Sequence, residues 1–199
     1  MGVAGGWIAV VFMAVSLAGL IAVHLLPTGI APLRDPVSQY HLTRFRPVIL
    51  VATLSAAVSG VGAILALTDL VGPSAVVSDV LLGVFVVARA LIPFLRMDPP
   101  GSRVTTVGRI HTVLAFAAFG SAIAVAFVAG GFLHDAGYPE VATWSSVLGG
   151  VGAIGAVGLL IGAIVRRQNL LGLFERLIYA GFIPWFIMIG AVAITVGAS

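Results

Sequence analysis

Six uninterrupted apolar runs, each long enough to cross a bilayer as a helix, leave this chain few alternatives. They cover approximately residues 7–26, 47–70, 74–95, 106–133, 141–165 and 170–196. About 20 apolar residues are needed to span a hydrocarbon core of ~30 Å. A soluble fold would have to bury six such helices inside polar surroundings, and only 9% of the residues are charged. The expected fold is therefore all-α: one polytopic membrane domain over residues 1–199, a bundle of six transmembrane helices, with loops too short to hold a second domain. The first run has no Lys or Arg ahead of it and exceeds the roughly 7–15 apolar residues of a signal peptide, so it reads as a span.

The absence of cysteine removes disulfides, thiolate metal sites and thiol nucleophiles together. The basic residues are all arginines, which excludes a lysine Schiff base. Their distribution sets an orientation. Arg34, Arg44 and Arg46 belong to the first loop, Arg96, Arg103 and Arg109 to the surroundings of the third, and Arg166, Arg167 and Arg176 to those of the fifth. The opposite face has Asp69, Asp135 and Glu140 and no arginine. Basic residues in short loops stay in the cytoplasm. In a multi-pass protein of the cell membrane, loops one, three and five are thus expected on the cytoplasmic side and both termini on the extracytoplasmic side.

Polarity concentrates in the first loop, RDPVSQYHLTRFRP, residues 34–47. Asp35-Pro36 is followed eleven residues after the Asp by Arg46, and Asp98-Pro99 at the same interval by Arg109, which suggests a duplicated helical hairpin. An Asp before Pro is pushed into an extended conformation, so each belongs to a turn. Each Arg falls near the start of a span, where the helix dipole is already positive and a cation needs an anion close by. The paired Asp is one candidate; a phosphate is another, because helix N-termini and arginine forks both suit it.

The D-P-V-S-x-Y turn after the first span, M-D-P-P-G…T-T-x-G-R-I-H entering the fourth, and the six-span length together resemble the domain of unknown function 998 family. Asp35 to Tyr40 and Met97 to His111 carry the specific motifs. The resemblance implies a small prokaryotic six-helix membrane protein and brings no established activity. A more distant likeness is to the eukaryotic lipid-regulating family that includes DRAM-type proteins, whose early loop has a P-x-I-S-D motif. Here the Asp precedes the Ser, and the arginine count puts this loop on the other side of the membrane.

Asp79 and Arg89 both fall inside the third run. Ionisable groups at such depth usually face a bundle interior. They are about 15 Å apart along a helix and cannot pair directly, so Asp35 or Asp98 is the expected partner of Arg89 and Asp79 is a candidate for ion coupling. Pro93 and Pro184 are expected to disturb their helices. His24 and His111 share one side of the membrane and could in principle supply two axial haem ligands. Metal-ligand spacing of the HExxH kind is absent, and so is a nucleophile elbow around Ser38. The G-x-G-x-x-G within residues 149–162 lacks a preceding strand; its small residues, Gly158 and Gly162 among them, read as a packing face within the bundle or between protomers of a homo-oligomer.

The leading expectation is a membrane protein without catalysis, cofactor or nucleic-acid partner. It would bind an anionic phospholipid headgroup or a small anion at a polar ring of Arg34, Asp35, Ser38, Tyr40, Arg46, Arg89, Asp98, Arg109 and His111. A small transporter working through Asp79 and Arg89, a b-type cytochrome and a ligand-free scaffold are the alternatives.

Overall fold

The computed structural model describes residues 1–99, 101–165 and 168–198. Arg166, Arg167 and Ser199 lie outside the described residues. Within them the chain is all-helical, without strands: α1 (Gly2–Leu25), α2 (Arg46–Val71), α3 (Val76–Leu91), α4 (Thr106–Asp135), α5 (Pro139–Ile164) and α6 (Leu171–Gly197). Five segments are long and apolar enough to cross a membrane, one of them the 49-residue stretch Arg46–Phe94 that contains both α2 and α3. These are the helices of a multi-pass membrane protein.

That long stretch folds back on itself. Thr68 Oγ1 donates to Asp79 at 3.1 Å, and a methyl placed on Gly60 would strike Phe85 and Val86. The facing residues converge on Gly72, whose φ of 62° is the left-handed geometry that glycine adopts without strain. With its 16 residues, α3 is about 24 Å long, short of a ~30 Å core. Tight 3₁₀ turns at Gly72–Ala75 and Ile92–Phe94 lengthen it by about 14 Å in all. Each turn contains a proline, Pro73 or Pro93, which lacks the N–H that would continue an α-helix.

Neighbouring helices run antiparallel and close into a ring, α1 to α6 in order with α6 returning to α1; α2 and α6 also meet across the middle. Small residues bring the backbones together. Gly5 and Gly62 let α1 lie against α2, Gly6 and Gly190 do the same for α1 and α6, and Gly152 and Gly181 for α5 and α6. Ser59 donates to the Ala9 carbonyl at 2.8 Å, and Ser145 links Trp185 of α6 to the Ala126 carbonyl of α4. The outward faces stay apolar, with Val113, Ile154 and Val80 all more than 60% exposed. Such a surface suits hydrocarbon, where the backbone must satisfy itself inside each helix. Trp7 and Trp144 are exposed, as anchors at a membrane interface would be, whereas Trp185 is core.

Met1, Asp69 and Gly197 gather at one end of the bundle. The first loop, the turn after α3 and the start of α6 gather at the other, and the polar side chains of interest are there.

Candidate functional site

The first loop is not free. Gly172 and Leu173, at the start of α6, donate their N–H groups to the carbonyls of Arg34 and Leu33. A side chain at position 172 would collide with the carbonyls of Pro32 and Asp35. One turn on, Glu175 accepts from Val37 N–H at 2.7 Å and from Ser38 N–H, so its carboxylate caps the short 3₁₀ helix Val37–Leu42. Arg176 spreads over four acceptors: His24 Nε2 at 2.8 Å, the Asp35 carbonyl, the Gly172 carbonyl and the Tyr40 hydroxyl. Residues 138 and 141 positions away in sequence therefore hold this loop. The Glu175-Arg176 pair, which fits neither copy of the echoed motif, is its clamp.

The echo itself dissolves. Asp35 pairs with its neighbour Arg34, through Nε at 2.8 Å and Nη2 at 3.1 Å, and accepts from Ala31 N–H. These bonds hold the Asp35 carboxyl below its ordinary pKa, the Arg34 bond contributing most. Arg46 donates instead to the Pro93 carbonyl. Asp98 binds the N–H and hydroxyl of Thr105, which in turn caps α4 by accepting from Gly108 N–H. The Thr105 N–H is the largest cause of a depressed Asp98 pKa. Any side chain at Gly108 would land on that carboxylate, which gives the spacing of Asp98, Thr105 and Gly108 a physical reason. Neither Asp35–Arg46 nor Asp98–Arg109 is an ion pair within 4.0 Å among the described residues. The equal spacing hides two different local structures, because Arg46 opens α2 whereas Arg109 is three residues inside α4.

Between α2, α3, α4, α5 and α6 is a cavity of about 770 Å³. Five of the nine residues expected in the polar ring line it: Ser38, Arg89, Asp98, Arg109 and His111. Arg34, Asp35, Tyr40 and Arg46 do not. Tyr40 is buried beneath His24 with ring centroids 5.2 Å apart, and belongs to the clamp. The sequence reading passed over His41, Glu175 and Tyr179, which also line the cavity. Glu175, Tyr179 and Phe182 recur at helical spacing on one face of α6, and a carboxylate on such a stripe was the available signal.

Arg89 is the unusual member. It is 4% exposed, yet no carboxylate lies within 4.0 Å, so neither Asp35 nor Asp98 is its partner. Its Nη1 donates to the Tyr179 hydroxyl at 3.2 Å. Its guanidinium sits 5.5 Å from the Tyr179 ring centroid and 5.9 Å from that of Phe182. Such cation–π contacts return ~0.5–2 kcal/mol each, against several kcal/mol for desolvating the ion. The Nε is buried with no partner at all.

The two histidines at the rim differ. His111 donates from Nδ1 to the Leu95 carbonyl at 2.7 Å, just past the 3₁₀ turn Ile92–Phe94. His41 has a buried, unpartnered Nδ1. Burial, and after it the positive charges of Arg89, His111 and Arg46, push its pKa down to about 4. His24 uses both ring nitrogens, Nδ1 toward the Leu20 carbonyl and Nε2 toward Arg176, leaving none to ligate a haem with His111. No group of three or more metal-ligating side chains occurs among the described residues. Asp79 is outside the cavity, in the first turn of α3, bonded to Thr68.

An apolar helical bundle with a largely apolar cavity at one end, into which a few polar and charged side chains are set, defines an integral membrane protein with a candidate binding site. The chain belongs to the family described as "Protein of unknown function (DUF998)", whose profile matches residues 3–192. No curated protein and no solved structure matches it.

Proposed function

We propose that this protein crosses the cell membrane six times, α2 and α3 counting separately, with the arginine-bearing loops in the cytoplasm. We propose further that it binds an anion, a lipid headgroup or a small solute, at Arg89. The observation that carries the reading is the buried Arg89 guanidinium, which lines the cavity with its Nε unpartnered and no carboxylate within 4.0 Å, Glu175 acting on it only from farther away. An arginine stays charged in any protein environment, so such a site is costly while empty and stabilised by an incoming anion. Arg109 lines the same space and adds donors there, and His111 and His41 line it as well. The volume suits a ligand of modest size, since small-molecule sites commonly enclose about 300–1,000 Å³.

On this reading the remaining ring residues build the wall. Arg34, Asp35 and Tyr40 fix the first loop against α6, and Arg46 secures the turn after α3. The test is native mass spectrometry of protein extracted gently from membranes. Wild type is expected to retain an anionic lipid or solute that Arg89→Gln releases. Equal retention by both proteins would defeat the proposal.

A further inference from the structure

We infer that the anion held at Arg89 is the head of a single-chain amphiphile, whose hydrocarbon tail lies in a slot between α4 and α5. This rests on the anion-binding reading above and names the class of ligand.

The slot follows from how α5 spends its glycines. Toward the arginine-poor end, Gly149 and Gly152 receive Ala126, Phe127 and Ile123 of α4, and the two helices are close. Toward the other end, Gly155 and Gly158 receive the backbone and ring of Phe174 and the backbone of Ile178, both on α6. The small-residue face that could have closed α5 against α4 is thus turned to α6 there, inside one chain. In that half of the α4–α5 seam the facing side chains, Val113 and Phe116 against Leu159 and Ala163, line the cavity instead of closing it. Val113 is 65% and Phe116 52% exposed although both line the cavity, so the cavity is open on this side. Phe116 is ten residues into α4, about 15 Å from its start. The opening therefore faces hydrocarbon, not loop.

A water-soluble anion has no use for an apolar exit at that depth, whereas a tail left in the bilayer while its head reaches Arg89 does. The charge at the inner end and the hydrocarbon walls at the outer end match the two ends of one amphiphile. One slot, walled by two helices, suits one tail.

The probes are 1-oleoyl lysophosphatidate and glycerol 3-phosphate, the same head with and without a tail, titrated into purified protein at matched salt and detergent. Wild type is expected to prefer the lysophosphatidate by at least tenfold. Ala163→Trp, which fills the slot, should abolish that preference and leave glycerol 3-phosphate binding unchanged, which also shows the variant folded. Should Ala163→Trp not fold, Phe116→Ala, which opens the slot wall, is expected to reduce the preference several-fold. Equal affinity of wild type for both probes, or a preference untouched by these variants, would overturn the tail assignment and leave anion binding intact. Failure of wild type to bind either probe would instead sink the anion-binding reading.

Discussion

Arg89 of α3 and Tyr179 of α6 are joined by a hydrogen bond of 3.2 Å, yet the equally buried Nε of the same arginine has no partner. The bond ties the third helix to the sixth and holds the guanidinium in the cavity wall. The Glu175 clamp and His41 share the cavity with it, Asp79 lies outside, and each makes a separate prediction.

The clamp is structural. Glu175→Ala would leave the Val37 and Ser38 N–H groups buried without an acceptor, at a cost of about 1–3 kcal/mol for each. Detergent-solubilised Glu175→Ala is expected to unfold at clearly lower temperature or denaturant than wild type. Glu175→Gln retains an oxygen acceptor and should lose much less. Equal losses in the two variants would mean that the carboxylate charge, and not the cap, matters.

His41 makes stability depend on pH. Its pKa is about 4 in the folded protein, below the ordinary 6.5. The unfolded chain therefore takes up a proton first as pH falls. The stabilisation from neutral His41 is complete above about pH 6.5 and is lost progressively down to about pH 4. A melting profile over that range should fall for wild type and fall less for His41→Gln. A bound anion should also flatten it, because a negative charge beside the ring favours imidazolium. Parallel profiles for the two proteins would remove His41 from the account.

Asp79 is bonded to Thr68 beside the α2–α3 turn, where a negative group in the first turn of α3 meets the positive end of the helix dipole. Asp79→Asn can keep the Thr68 bond and is expected to leave anion binding at Arg89 unchanged. Loss of a measurable ion or substrate flux in reconstituted Asp79→Asn would revive the transporter alternative.

Much of the architecture was legible in the apolar runs alone. The expected spans 47–70 and 106–133 lie within α2 and α4 with ends at most two residues apart. The span at 74–95 is an α-helix only over Val76–Leu91, because Pro73 and Pro93 convert its ends to 3₁₀ turns. The site was legible by residue type and less by partner. Arg89 stood out as a charge within an apolar run. Its pairing with Tyr179, like the capture of the first loop by Glu175 and Arg176, depends on which helix closes the ring, and no local pattern encodes that. The D-P-x9-R echo misled for a related reason. Equal spacing cannot show that Asp35 is taken by its own neighbour while Asp98 caps a helix.

Orientation is open to a direct check. With six spans and cytoplasmic arginines, a phosphatase fused after Ser199 should be active outside the cytoplasm and a fluorescent protein at the same point dark. The opposite pair of signals would place the cavity mouth on the outer face.

The most direct test of the central claim is a titration of lysophosphatidate into wild type, Arg89→Gln and Arg89→Lys at matched salt. A charge-assisted hydrogen bond contributes about 1.5–3 kcal/mol, so the Gln variant is expected to bind about tenfold or more weakly. The Lys variant, with the charge but not the planar fork, should fall between. Binding by Arg89→Gln with wild-type affinity would contradict the account.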